Sequence, residues 1–227
     1  MSASFSNSNI RLYAKERDDA DFLSGHREKF LFPQHQGKDV IYLCGNSLGL
    51  QPKNAIEYFV QELNDWAEYG VEGHFQSKRP WFSYHHFFTK SLATLVGAKE
   101  TELVAMNTLT VNLHLLMLSF YRPTKQRYKI IMEAGAFPSD MYAVETQVKM
   151  HGLDPEDAII EIAPRKGEHC IAMEDIEEAI QKNKNKVALV LFGGVNYYTG
   201  QYFDIKQIVE LAHSVGAYAG FDLAHAV

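Results

Sequence analysis

The sequence predicts an α/β fold: a mixed, mostly parallel sheet covered by helices on both faces. Three observations predict it. Short apolar runs recur along the chain, at ELVAM (102–106), YKIIM (128–132), AIIEIA (158–163), KVALVLF (186–192) and AYAGF (217–221). Helical segments near 110–120, 138–151, 173–182 and 204–215 alternate with them. The strands are mostly apolar along their length instead of at every second position, so both faces of the sheet need covering.

The elements before the alternation follow from local signals. Residues 8–30 are charged and helical in character, with breaks at Ser24-Gly25 and Pro33, and form an N-terminal arm outside the main repeat. DVIYLCGNSLG (39–49) reads as a short strand running into a Gly-Asn-Ser loop. Pro52 opens an amphipathic helix in which Ile56, Phe59, Val60, Leu63, Trp66 and Ala67 follow the 3.6-residue period, and Gly70 stops it. The loop VEGHFQSKRP, whose basic residues read alone as a solvated turn, leads to a second helix over 83–96 that ends at Gly97. No fixed-period repeat and no low-complexity tract is present.

Composition bounds the function. At 227 residues and 46% hydrophobic content, the chain fits one large domain or one and a half. Its net charge of −6 argues against a nucleic-acid surface, which needs a basic stripe. Two cysteines, Cys44 and Cys170, are too few for a disulfide framework and fit a reducing compartment. The N-terminus lacks the apolar core of a signal peptide, and no apolar run approaches the ~20 residues of a membrane span. A soluble cytoplasmic protein with no nucleic-acid or membrane partner is expected.

In an open parallel sheet the ligand sits outside the carboxyl ends of the strands. After ELVAM comes NTLTVNLHLLML, where Thr108 or Thr110 begins a helix. Free N–H groups and a hydroxyl there suit a phosphate, although a threonine at a helix start is also a plain cap. After YKIIM comes EAGAFPSDMYAVE, with Phe137 at the corner, Pro138 opening a helix and Asp140 in its first turn. Phe137 in that place is able to stack on a planar ligand or to serve as core. After KVALVLF comes GGVNYYTGQ, whose two glycines allow close backbone approach or a tight turn. After AYAGF comes Asp222, with His225 three residues on.

The fingerprints of several other chemistries are missing. There is no GxGxxG after a strand, no GxxxxGK[ST] and no GxSxG. Neither HExxH nor CxxC occurs, and His85-His86 are adjacent, so zinc chemistry is not expected. The combination that remains is a hydroxyl-bearing helix start, an aromatic side chain and a carboxylate at a strand end. Pyridoxal phosphate needs these three things, because its ring nitrogen requires an acidic partner to act as an electron sink.

NTLTVNLHLLMLSFY, EAGAFPSDMYA, LFGGVNYYTGQ and GFDLAHAV closely resemble the kynureninase family, pyridoxal-phosphate enzymes of the aspartate aminotransferase fold. YLCGNSLGLQP and GHFQSKRPW resemble it too, so the likeness runs from about residue 12 onward. The resemblance implies that Leu109 and Thr110 contact the cofactor phosphate and that Phe137, Pro138, Ser139 and Asp140 line the ring. It implies that Asp222 pairs with the protonated ring nitrogen, that His225 sits beside the cofactor, and that Ser47 and His74 line the substrate pocket. Many family members have a serine where this chain has Gly193, so a backbone N–H or a water is expected to replace that contact. Residues 1–50 are then an arm contributing to a small domain, and 51–227 are part of a large cofactor-binding domain. The family's Schiff-base lysine is expected in a Ser-Tyr-Lys segment beyond Val227, because Lys129 and Lys186 start strands at the wrong end of the sheet. The implied activity is hydrolysis of L-kynurenine or its 3-hydroxy form by a homodimer, with this chain alone inactive. Two rivals stand beside it: another enzyme of the same fold, such as a cysteine desulfurase, or an incomplete piece with only a structural role.

Overall fold

A computed structural model describes residues 7–227. These group into two compact units, one ending at Tyr84 and the other spanning His85–Val227.

The first unit is built from α1 (Asn7–Ala20), a two-stranded antiparallel pair β1 (Gln34–His35) and β2 (Lys38–Asp39), α2 (Ala55–Tyr69) and the short α3 (Gly73–Gln76). The strand expected over DVIYL is confined to its first residue, since β2 ends at Asp39. Ile41 and Leu43 beyond it are 87% and 89% exposed, with no ladder to hold them. In α2 the helix forms as its period predicts, but the stripe Ile56, Phe59, Leu63 and Trp66 is exposed. The polar side makes the contacts instead. Glu62 accepts from Arg79 Nε (2.8 Å) and Trp81 Nε1 (2.9 Å), and buried Asp65 accepts from Gln61 Nε2 (2.9 Å) and the Lys78 N–H (3.3 Å). The basic loop is therefore anchored to α2 by charge and is not a solvated turn.

The second unit holds α4 (His86–Val96), α5 (Leu109–Phe120), β3 (Lys129–Glu133), α6 (Pro138–Met150), α7 (Pro155–Ala158), β4 (Ile159–Ile162), α8 (Met173–Lys182), β5 (Val187–Gly193), α9 (Ile205–Ser214) and β6 (Tyr218–Asp222). The four strands form one parallel sheet in the order β4-β3-β5-β6. Alternate residues feed opposite faces. Ile131, Val190 and Phe192 pack with Ile176 and Ile180 of α8 and Ile208 and Ala212 of α9. Ile130, Met132, Leu189 and Leu191 pack with Met117 of α5 and Val144 and Val148 of α6. Both faces are covered, which is why the strands read as continuous apolar runs.

ELVAM is the exception. Glu100–Glu102 forms a 3-10 turn, and the backbone is extended at Leu103 (φ −126°, ψ 146°) without joining the sheet. An apolar extended segment becomes a strand only when a neighbour supplies the ladder, and no described strand pairs with it. Among the described residues no helix is long and apolar enough to cross a membrane.

Ile131, fully buried between the sheet and α8–α9, should be costly to truncate. Ile131→Ala is expected to destabilise by about 2–5 kcal/mol, and Ile41→Ala by no more than about 0.5 kcal/mol. Urea unfolding of the two variants beside the parent checks both values.

Candidate active site

The parallel topology brings the carboxyl ends of β3, β5 and β6 side by side, and the chain places Glu133, Gly193 and Asp222 there. Gly193 and Asp222 are register partners, and the Gly194 N–H donates to the Asp222 carbonyl at 2.7 Å. A Cβ on Gly194 would lie 2.7 Å from Ala226 Cβ and 2.8 Å from Leu223 Cδ2, so only glycine lets the turn after β6 close against β5. That turn carries His225. The Asp222 Oδ1 accepts from the Ala224 N–H at 2.8 Å, so the carboxylate also orders its own turn.

Asp140 comes to the same place from the first turn of α6. It is 7% exposed, and its carboxyl hydrogen-bonds that of Asp222. Burial pushes the Asp140 pKa up to about 7; the hydrogen bond and charge of Asp222 act in the same direction, and Glu133 adds to them. The Ser139 hydroxyl, donating to Asp140 Oδ1 at 3.3 Å, works the other way. Burial and the neighbouring carboxylates together keep Asp140 protonated further up the pH scale than an ordinary aspartate. Among the described residues, no Lys, Arg or His forms an ion pair with Asp140, Asp222 or Glu133.

Three rings stand beside the acids. Phe137 meets Tyr197 edge-on at 5.1 Å between centroids, and His225 lies 6.3 Å from Phe137 and 6.0 Å from Tyr197. Phe137 and Pro138 open α6, with Pro138 at its first position. Thr108 precedes α5 in an extended conformation, and no side chain caps that helix. The plain-cap reading of Thr108 is therefore not met, and the first-turn N–H groups of Leu109 and Thr110 lack intrahelical acceptors. At Gly193 the backbone N–H is already taken by Glu133 Oε1 at 2.9 Å, so it is not free to replace a serine contact.

The structure thus brings together Phe137, Ser139, Asp140, Gly193, Asp222 and His225, while Leu109 and Thr110 begin the neighbouring α5. Ser47 and His74 belong to the first unit. There Ser47 sits in an exposed turn, its N–H donating to the Cys44 carbonyl (3.0 Å), and the His74 ring meets Trp81 edge-on at 5.5 Å. Lys129 starts β3 and Lys186 precedes β5, both at the amino end of the sheet, where Lys129 is paired with Asp157. Sequence reasoning missed Glu133, Asn196 and Tyr197. The readable signal for Asn196 was its place in Asn-Tyr-Tyr-Thr-Gly, since an asparagine side chain commonly accepts from backbone N–H groups two or three residues on.

A buried Asp140 beside a half-buried Asp222, with no ion-paired cation among the described residues, together with aromatic rings and an uncapped helix start, suits a cationic heteroaromatic bearing a phosphate. The family model for class-V aminotransferases matches residues 41–227, and the chain belongs to that family. Within the curated proteins it is similar to kynureninases. It is 58% identical to that of Flavobacterium psychrophilum and 56% to that of Myxococcus xanthus, each over 94% of this chain and 50% of the relative. It is 48% identical to that of Nematostella vectensis, over 96% of this chain and 49% of the relative. The chain thus spans about half the length of the curated relatives it matches. Two solved structures share the fold. One is the apo cysteine desulfurase of Thermococcus onnurineus NA1, with TM-score 0.60 and 21% identity over 81% of this chain and 44% of that one. The other is the cysteine desulfurase CsdA of Escherichia coli, with TM-score 0.63 and 15% identity over 89% of this chain and 49% of that one.

The acid pair makes stability depend on pH. Asp140 keeps its proton in the folded state up to about pH 7, and in the unfolded chain only near its ordinary value of 3.8. Between these values the folded state binds more protons, so stability falls as pH rises. The parent is expected to lose up to about 1 kcal/mol per pH unit between pH 5 and 7. Asp140→Asn, which donates to Asp222 at every pH, should be flatter. Urea unfolding at pH 5, 6 and 7 measures both slopes.

Proposed function

We propose that the complete protein carrying this sequence is a pyridoxal-phosphate-dependent hydrolase. It cleaves L-kynurenine or 3-hydroxy-L-kynurenine to anthranilate or 3-hydroxyanthranilate and L-alanine, as a cytoplasmic homodimer. The observation that carries the reading is the Asp140–Asp222 pair set against the Phe137, Tyr197 and His225 rings. The kynureninase names of relatives at 48–58% identity support the substrate.

When bound, pyridoxal phosphate supplies an electron sink for bond breaking at the carbons next to the substrate amine. Asp222 would accept a hydrogen bond from the ring N–H and favour the protonated ring. Asp140, whose carboxyl is held protonated to about pH 7, would donate to Asp222. Phe137 and His225 would lie against the ring and hold it by contact with their own rings. The N–H groups of Leu109 and Thr110, at the positive end of α5, would receive the phosphate. Ser139 orients Asp140. Ser47 and His74 belong to the aryl-ketone pocket. Atoms balance with one water: its oxygen joins the side-chain carbonyl carbon, the Cβ–Cγ bond breaks, and Cβ takes a proton to complete alanine.

The test is an assay of the complete protein with kynurenine and, separately, cysteine. Release of anthranilate and alanine from kynurenine is expected, and alanine from cysteine alone would move the chain to the desulfurase reading. Asp222→Ala should lower kcat/KM for kynurenine by roughly 10- to 100-fold or more, the equivalent of one charged hydrogen bond. Near-normal turnover by that variant would remove Asp222 from the ring nitrogen. His74→Phe should change the ratio of kcat/KM for the two kynurenines, and an unchanged ratio would take His74 out of the pocket.

A further inference from the structure

We infer that Glu133 is a positioning residue for this site, acting through Gly193 and Asn196 to hold the 193–199 turn and with it the Tyr197 ring. The inference rests on the cofactor reading above. Glu133 ends β3 and is 3% exposed. Its Oε1 accepts from the Gly193 N–H at 2.9 Å, and its Oε2 accepts from Asn196 Nδ2 at 2.7 Å. One buried carboxylate thereby ties the end of β3 to the end of β5 and to the turn that follows. A Cβ on Gly193 would lie 2.8 Å from Glu133 Oε1, so the glycine leaves room for the carboxylate.

Asn196 passes the constraint on. Its amide nitrogen is held by Glu133, and its Oδ1 accepts from the Tyr198 N–H (3.0 Å), the Thr199 N–H (2.9 Å) and the Thr199 hydroxyl (3.1 Å). The two ends of the amide cannot be exchanged, because one meets an acceptor and the other meets three donors. Tyr197 lies between the pinned residues, and its ring stands edge-on to Phe137 and near His225. The site needs an acceptor at both tips of residue 133, and only a carboxylate supplies two. A glutamine would set its NH2 group against either the Gly193 N–H or the Asn196 NH2.

The experiment compares the complete protein with Glu133→Gln and with the double variant Glu133→Gln/Asn196→Asp. In the double variant the glutamine keeps its oxygen on the Gly193 N–H and donates to one oxygen of the new aspartate. The other aspartate oxygen serves the three donors of the turn. The readouts are near-UV circular dichroism of the apo protein, equilibrium dialysis with pyridoxal phosphate, and equilibrium dialysis with inorganic phosphate. Glu133→Gln is expected to weaken pyridoxal phosphate at least tenfold and to diminish the near-UV signal, with inorganic phosphate changed less than twofold. The double variant should return to within about threefold of the parent in affinity and recover the signal. Parent-like affinity in Glu133→Gln, equal loss of both ligands, or a double variant as weak as the single one would each overturn the inference. If Glu133→Gln fails to fold, recovery or failure of the double variant decides in the same way. Should the parent take up no pyridoxal phosphate, the cofactor reading fails, and the near-UV signal across the three proteins still decides the role of Glu133.

Discussion

Glu133 carries a carboxylate into a part of the molecule with almost no water, and it does so without an ion pair. A buried charge of this kind is tolerated when its lone pairs are filled by donors held in place. Here the donors are the Gly193 N–H and the Asn196 amide, and both owe their positions to the parallel pairing of β3 with β5. The same pairing sets β6 beside β5, so that Asp222 falls in register with Gly193. The arrangement of the site thus descends from one constraint: three parallel strands must end together, and the polar groups delivered there must satisfy one another.

The sequence made most of this sheet legible because its strands are buried on both faces. Continuous apolar runs of five to seven residues, punctuated by amphipathic helices, leave few other arrangements. The runs at 128–132, 158–163, 186–192 and 217–221 lie within a residue or two of β3, β4, β5 and β6. ELVAM has the same composition but no partner, and composition cannot report whether a ladder exists. In the first unit the period of α2 predicted the helix correctly but not which side of it makes contacts. Glu62 and Asp65 bind the loop through charge, a form of attachment that a hydrophobic pattern does not encode.

Within the site, Phe137, Asp140, Asp222 and His225 were readable because each lies at or shortly after the carboxyl end of an apolar run, where ligands of open sheets bind. Glu133 ends β3 just as Asp222 ends β6, so its position alone did not mark what it does. Its partners lie 60 and 63 residues away, and no local pattern connects them. Tyr197 sits in a loop with two adjacent tyrosines. Only the hydrogen bonds of Asn196 separate the ring that joins Phe137 and His225 from its neighbour Tyr198, which is largely exposed. Spatial selection of this kind requires the folded chain.

The three acids also differ in how their charge is used, and this difference gives the site its polarity. The charge of Glu133 is satisfied by donors within the fold. Asp140 lies against Asp222, and burial with the neighbouring carboxylates favours the protonated form of Asp140. At α5 the uncapped N-terminus offers partial positive charge and free N–H groups. On the proposed function, a ligand with a cationic ring edge and an anionic tail is oriented by the acids at one end and the start of α5 at the other. The rings of Phe137, Tyr197 and His225 add a preference for a flat molecule. Orientation by charge and selection by shape are independent here, so weakening one leaves the other to be measured separately.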